Sequence, residues 1–517
     1  MDPTHRPPIL KTFYITTAID YTNAAPHIGH AYEKILADVL ARYHRLKGDP
    51  TYFLTGVDQH GQKVQQAAQK AGIEPEPFVI ETTKKFTDLW EKLELSHDGW
   101  AATTDPAHKK VVQDILQRLY DKGEIYKATY RGFYSVRQEQ FLTEKERDEN
   151  GNFGPEWGEV VELEEENWYF KLGIYRDWLL KFLDANPQCV IPGFRHTELR
   201  NAAEKLAGDL SISRPKSRLA WGIELPFDTN CVTYVWFDAL VNYISFAGYG
   251  SDEEKFRRLW PALHVIGKDI IIPAHGIYWL IMLKALGFED SDMPTFLVHG
   301  YVMVDGEKMS KSIGNIRDPH TFADKFGVEA LRYFLMRDCA VGQDMDFTDA
   351  RLVQRYNSDL ANSLGNLLNR SLNMSKRYRE SRLTKPAEGG VLAEAITSSV
   401  SDYTSTLDRH LVNQALEAAW TLATRANAYV EETAPWKLAK DPEAAAQLDA
   451  VLYNLADSLR VLAILISPVL PRAAAGIFAQ LGLTGELRLS DAVWGLLPDG
   501  HVLGQPEVLF PRIEAEA

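Results

Sequence analysis

Along the first sixty residues the spacing of apolar positions changes period twice. FYITTAI at 13–19 is β-branched and aromatic, which predicts a strand. The chain then runs through DYTNAAP into HIGHAYEKILADVLARYHRLKG, where Ile35, Leu36, Val39, Leu40 and Tyr43 recur at helical spacing and Lys47-Gly48 supplies a stop. TYFLTGVD at 51–58 predicts a second strand. Strand, loop, helix and strand make a βαβ unit, the opening of a parallel nucleotide-binding sheet.

Near residue 120 the pattern breaks. YRGFYSVRQEQFL predicts short strands, and the charge-rich TEKERDENGNFGPEWGEVVELEEEN predicts a solvated face, so 118–228 is read as an insertion. Strand-like runs resume in VTYVWFDAL (232–240), LHVIGKDIII (263–272) and FLVHGYVMV (296–304), which makes a sheet built from two separated halves. Beyond 356, Ala/Leu-rich helical periodicity, interrupted at RLTKPAEGG (382–390), predicts an α-helical domain with one closing strand at LFPRI. The expected fold class is α/β: a Rossmann-like parallel-sheet catalytic domain split by a connective insertion, followed by an α-helical bundle. Its divisions fall at 1–117, 118–228, 229–300, 301–355 and 356–517.

Composition narrows the setting. A chain of 517 residues exceeds one core, and 45% hydrophobic with 25% charged residues is ordinary for a globular protein. No run approaches the roughly 20 apolar residues of a membrane span. VLAILI at 461–466, cut by Ser467 and Pro468, predicts a core helix. MDPTHRPPIL has neither a secretory apolar region nor an Arg/Ser-rich amphipathic character, and a cytoplasmic location is expected. Cys189, Cys231 and Cys339 are widely separated and odd in number, against both a disulfide framework and a zinc knuckle. A formal charge of −15 opposes a broad nucleic-acid coat, so no DNA partner is expected and RNA would be held by local patches.

Two short segments carry the chemistry. His27 and His30, at i and i+3, share a face at the first turn of a helix that follows a strand, and Gly29 leaves room for a flat ring. Imidazole N–H groups and the positive helix end there suit the phosphates of a nucleoside triphosphate. As an isolated pair the histidines fit a plain helix start equally well. Lys308-Met309-Ser310-Lys311-Ser312, between Gly306 and Gly314, offers two ammonium groups on a segment able to close on a polyphosphate. A basic surface loop is the alternative, but this pentapeptide arises by chance in roughly one such chain in several thousand.

HIGH followed by KMSKS resembles a class I aminoacyl-tRNA synthetase. ITTAIDYTNAAPHIGHAYEKILADVLARYHRLKG, FLTGVDQHGQK, LSISRPKSRLAWGI, YVWFDALVNYIS, VIGKD, HGYVMVDGEKMSKSIGN, NSLGNLLNR and ETAPWKLAK resemble, in order, segments of the methionyl-tRNA synthetase family, which covers residues 10 to 515. The resemblance implies activation of methionine by ATP with Mg2+, then transfer to the 2'-hydroxyl of the terminal adenosine of tRNA(Met). His27, His30, Lys308, Lys311 and Arg214 would be catalytic, and His27, Gly29, His30 and Lys308 to Ser312 would bind ATP. A thioether needs an apolar, polarizable slot and its ammonium an anion. The implied slot is Ala18, Ile19, Tyr21, Trp236, Ala239, Leu240, Tyr243 and His275, with Asp58 as the anion. His275 stands six residues after Asp269, a longer interval than the resemblance implies, which leaves the alignment at Ile270 and Ile271 open by one position.

The helical domain would read the anticodon through Asn366 and Arg370, at i and i+4, and through Trp436, a stacking platform. Ser135 and Gln138 stand where many family members carry zinc-binding cysteines, so no structural zinc is expected. A monomer is expected as well. The rival readings are a class I synthetase for another amino acid, a nucleotidylyltransferase, and an inactive tRNA-binding relative, which loss of HIGH or KMSKS would have favoured.

Overall fold

The computed structural model describes residues 11–135, 140–142, 146–148, 150–309 and 314–514. Ser310, Lys311, Ser312 and Gln138 lie outside the described residues. Seven strands form a parallel sheet: β1 (Phe13–Thr17), β2 (Asp20–Tyr21), β3 (Thr51–Asp58), β4 (Gly99–Ala102), then β8 (Val190–Ile191), which falls inside the stretch 118–228 read as an insertion, and β13 (Leu263–Gly267) and β14 (Thr295–His299). The order is β2-β3-β1-β13-β14-β8, with β4 also on β3, and every pairing is parallel. β1 thus lies between the early β3 and the late β13. That reversal of direction opens a crevice at the carboxyl ends of β1 and β13, where sheets of this kind bind ligands.

Helix α1 (Ile28–Lys47) covers the sheet and is buried on nearly every side. It starts on a reciprocal cap: the His27 ring accepts from Gly29 N, and the His30 ring accepts from His27 N. It stops at Gly48, whose φ of 89° suits glycine, and His44, Arg45 and Lys47 face its negative end. Farther along α1, buried Asp38 accepts from Arg332 at 2.7 Å, and the same guanidinium donates to the Leu93, Pro468 and Val469 carbonyls. One arginine with no exposed surface so ties the HIGH helix to the C-terminal helices. Removing one partner of such a pair costs about 3–5 kcal/mol.

Between the sheet halves, β5 (Ile125–Ser135), β6 (Gln140–Leu142), β7 (Val160–Phe170) and β9 (Leu210–Ser211) make an antiparallel sheet in the order β6-β5-β7-β9. Of the expected short strands, one is the end of the 11-residue β5, paired along its length with β7, and another is the three-residue β6; the acidic run ends within β7. β10 (Ser213–Pro215), β11 (Glu224–Leu225) and β12 (Asp228–Thr233) form a second small sheet leading back to the core. β15 (Val302–Val304), β16 (Glu307–Lys308) and β17 (Met345–Asp346) form a third.

The C-terminal part is helical: Asn366–Arg379, Gly390–Leu407, Val412–Thr433, Ala445–Ile466 and Pro471–Gln480 pack into a bundle. VLAILI ends the helix Ala445–Ile466 as core. Three strand expectations are corrected. VTYVWFDAL leaves the strand after Thr233 and becomes the helix Val235–Ser245; LHVIGKDIII leaves it after Gly267 and enters the helical turns Ile271–Trp279. LFPRI forms no strand: Ile513 exchanges two backbone hydrogen bonds with the Asn357 side chain, and Phe510 is buried against Tyr356. No helix among the described residues is long and apolar enough to cross a membrane.

Candidate active site

A cleft of about 440 Å³ opens where β1, β3 and β13 end. One wall is the start of α1. Backbone N–H donors fix the tautomers of both HIGH histidines there. Gly29 N–H points at Nδ1 of His27 (3.1 Å) and His27 N–H at Nδ1 of His30 (3.0 Å), so each ring carries its proton on Nε2. Burial lowers His27 to about 4, against the pull of Asp269, and holds His30 well below the usual imidazole range. Both are neutral N–H donors at neutral pH, at a helix end whose first turn holds no acidic residue. A Cβ on Gly29 would come within 3.0 Å of the His27 ring, so glycine is what allows that ring to fold over the helix end.

Opposite α1, β15 and β16 form a hairpin turning on Asp305-Gly306, with φ of 53° and 76°, the primed turn that Asp-Gly favours. The hairpin brings Lys308 and Met309 to the cleft, with the Lys308 ammonium 3.8 Å from the Tyr301 ring centroid.

The far wall is the slot. Ala18, Ile19, Tyr21, Asp58, Trp236, Ala239, Leu240, Tyr243 and His275 all line the cleft. Ile272, ahead of Pro273, is extended (φ −116°, ψ 125°) within otherwise helical turns, and His275 lines the cleft. Its Nδ1 donates to the Ile270 carbonyl (2.9 Å), which leaves Nε2 to accept from the Tyr243 hydroxyl (2.8 Å). Burial lowers His275 to about 4, in keeping with a neutral ring. The buried Asp58 carboxylate takes His60 N–H (3.2 Å) and the Thr103 hydroxyl (3.3 Å).

Arg214 is the exception among the expected residues. It does not line the cleft; it is buried on β10 with its guanidinium 4.5 Å from the ring of Tyr234, which does line it. It stands behind the wall. In the bundle, Arg370 pairs with Glu431 (2.7 Å), while Asn366 and Trp436 are exposed.

The cleft also holds groups that motif reading passed over: Asp20, Glu33, Asp269 and His299. Asp269 sat within the quoted VIGKD, and Glu33 is one turn beyond His30 on the same face of α1. Beneath them Lys34 is fully buried against Asp20 and Glu33, whose charges outweigh its burial and raise its pKa. Burial would raise Glu33, but Lys34 and the hydrogen bond from His299 outweigh it and hold the carboxyl down.

A family model described as tRNA synthetases class I (M) matches residues 13–150 and 157–372, and one described as the anticodon binding domain of methionyl tRNA ligase matches 383–517. The methionine–tRNA ligase of Deinococcus radiodurans is 43% identical across 98% of this chain and 75% of its own length. That of Caldanaerobacter subterraneus is 42% identical across 98% and 80%. The solved Mycobacterium tuberculosis methionyl-tRNA synthetase in complex with methionyl-adenylate superposes with a TM-score of 0.90 at 39% identity, covering 97% of this chain and all of that one. With the HIGH turn and the Lys308-Met309 start of KMSKS lining one cleft, and the two family models together matched across nearly its whole length, the chain belongs to the methionyl-tRNA synthetases of class I.

Proposed function

We propose that the walls of the cleft divide the work of methionine–tRNA ligation. In the first step methionine's carboxylate attacks the α-phosphate of ATP and pyrophosphate leaves. The carboxylate is already ionised at neutral pH, so the step needs positioning and charge stabilisation rather than a general base. The Nε2–H groups of His27 and His30, the start of α1, and the Lys308 and Lys311 ammonium groups would take the phosphate charge. Asp58 would hold the substrate ammonium while Trp236, Ala239, Leu240 and Tyr243 enclose the thioether. Mg2+ would accompany ATP and share the phosphate charge. In the second step the 2'-hydroxyl of the terminal adenosine takes the methionyl group, with Asn366, Arg370 and Trp436 reading the anticodon.

Convergence supports this reading: the HIGH turn and the Lys308-Met309 pair, some 280 residues apart in sequence, line one cleft together with Trp236, Ala239, Leu240 and Tyr243. The insertion would hold without zinc, since the Ser135 hydroxyl donates to the Trp157 carbonyl and Arg147 lies 4.6 and 4.5 Å from the Phe133 and Phe153 rings. A monomeric, cytoplasmic enzyme with divisions at 117/118, 228/229, 300/301 and 355/356 completes the proposal. ATP/pyrophosphate exchange tests it. Exchange is expected with methionine alone, and exchange driven by leucine or cysteine, or the lack of exchange with any amino acid, overturns it. Lys311→Ala should slow adenylate formation far more than it weakens methionine binding.

A further inference from the structure

The walls of the cleft meet at one buried ammonium. Lys34 lies on α1 one turn after His30 and has no exposed surface. Its three N–H donors are all committed: to the Ala18 carbonyl at 2.9 Å, to Asp20 Oδ1 at 2.6 Å and to Glu33 Oε1 at 2.9 Å. Ala18 belongs to the amino-acid slot. Asp20 lies on the short strand that precedes HIGH, and Glu33 lies on the HIGH helix. The other oxygen of Glu33 faces Nε2 of His299 at 3.0 Å, and His299 ends the strand that leads into the Lys308 hairpin. A chain of charged hydrogen bonds therefore runs from the slot, through Lys34, to the base of the phosphate-binding segment.

Two details set this cluster apart from an ion pair that serves only the core. Asp20 Oδ2 is buried without a hydrogen-bond partner among the described residues, although the carboxylate lines the cleft. Asp20 Oδ1 lies 3.9 Å from Nε2 of His30, the nitrogen that bears the proton because Nδ1 is held by His27 N–H. Lys34 thus fixes the Asp20 carboxyl, which burial raises to about 7 against the pull of that ammonium, beside a histidine that lines the cleft. A buried charge of this kind is expensive, and an apolar core would hold the helix at least as well.

We propose that Lys34 is a positioning residue for adenylate formation: by holding Ala18, Asp20 and Glu33 on one ammonium, it sets the slot and the phosphate wall at the separation from which the methionine carboxylate attacks in line. The proposal rests on the methionine-activation reading. Misplacement of reacting groups by about 1 Å costs on the order of 100-fold in rate.

The test is the double variant Lys34→Met/Asp20→Asn, which removes the ammonium together with a carboxylate it neutralises and leaves Glu33 its contact with His299. Measured by pyrophosphate exchange per titrated active site, kcat is expected to fall about 100-fold while the methionine KM moves less than threefold. Lys34→Arg is expected to recover at least tenfold of that loss. A role confined to folding would lower the melting temperature and the number of active sites but leave kcat per site in place. A kcat within threefold of the parent, or an equal loss in methionine binding, overturns the proposal while parent exchange upholds the activity. A parent that gives no methionine-dependent exchange overturns the activity and this proposal together. If the double variant does not fold, Asp20→Asn alone carries the test, with about a tenfold fall in kcat expected and a fall of less than twofold overturning it.

Discussion

The Tyr243 hydroxyl donates to Nε2 of His275 at 2.8 Å because the other ring nitrogen is already spent on the Ile270 carbonyl. Both residues are buried in the slot wall, so the pair holds a polar edge in fixed orientation beside an otherwise apolar space. Tyr243→Phe keeps the ring and orphans a buried acceptor, at a cost of about 1–3 kcal/mol. The methionine KM in pyrophosphate exchange should rise about tenfold or more with the ATP KM unchanged. Parallel rises in both would place the effect on folding rather than on the slot.

Acid should loosen the molecule at its cleft. His27 and His275 are both lowered to about 4 by burial, so the unfolded chain binds their protons first as pH falls. Their stabilisation is complete above about 6.5 and is lost as pH drops towards 4, at up to about 1.4 kcal/mol per pH unit for each ring. Denaturant melts at pH 7, 5.5 and 4.5 should show that decline, and His275→Gln should flatten it. An unchanged slope in that variant would mean that His275 is already charged in the folded state.

Much of this cleft was legible because its motifs sit where apolar period and turn residues change together: HIGH at a strand-to-helix switch, KMSKS after an Asp-Gly turn. The helix Val235–Ser245 was not. It is buried on nearly every face, so Trp236, Phe237, Ala239, Leu240 and Val241 form an apolar run, interrupted only by the buried Asp238, that periodicity cannot tell from a central strand. LFPRI misleads for a related reason, because its apolar residues cover the bundle while its backbone bonds to a side chain instead of a neighbouring strand. Lys34 and Glu33 were hidden by their type: charged residues on a helix are by default solvated, and only the fold shows three acceptors around one ammonium.

His27 does two things that a pair of substitutions separates. Its ring caps α1 by accepting from Gly29 N–H, and it lines the cleft, where its Nε2–H is the donor proposed for phosphate. His27→Ala removes both, and should cost about 1 kcal/mol of stability and about 10²–10³ in the rate of adenylate formation. Asn is a good N-cap but too short to reach a phosphate, so His27→Asn should restore the melting temperature and leave the rate low. Recovery of rate along with stability would assign the residue to the cap alone.

Anticodon reading should compete with an internal contact. Arg370 is held by Glu431 at 2.7 Å, and Glu431 lies near the end of the helix that leads to the exposed Trp436. For the guanidinium to reach a base it must leave that carboxylate, and a partly exposed pair of this kind is worth up to about 1 kcal/mol. Glu431→Gln should therefore lower the tRNA KM for aminoacylation, by about two- to fivefold, and leave pyrophosphate exchange untouched. Arg370→Ala and Trp436→Ala should raise that KM at least tenfold, again without effect on exchange. The ion pair restrains Arg370 only if Glu431→Gln loses its effect in an Arg370→Ala background. Equal effects of the substitution in both backgrounds would instead mean that the carboxylate acts by repelling the tRNA backbone.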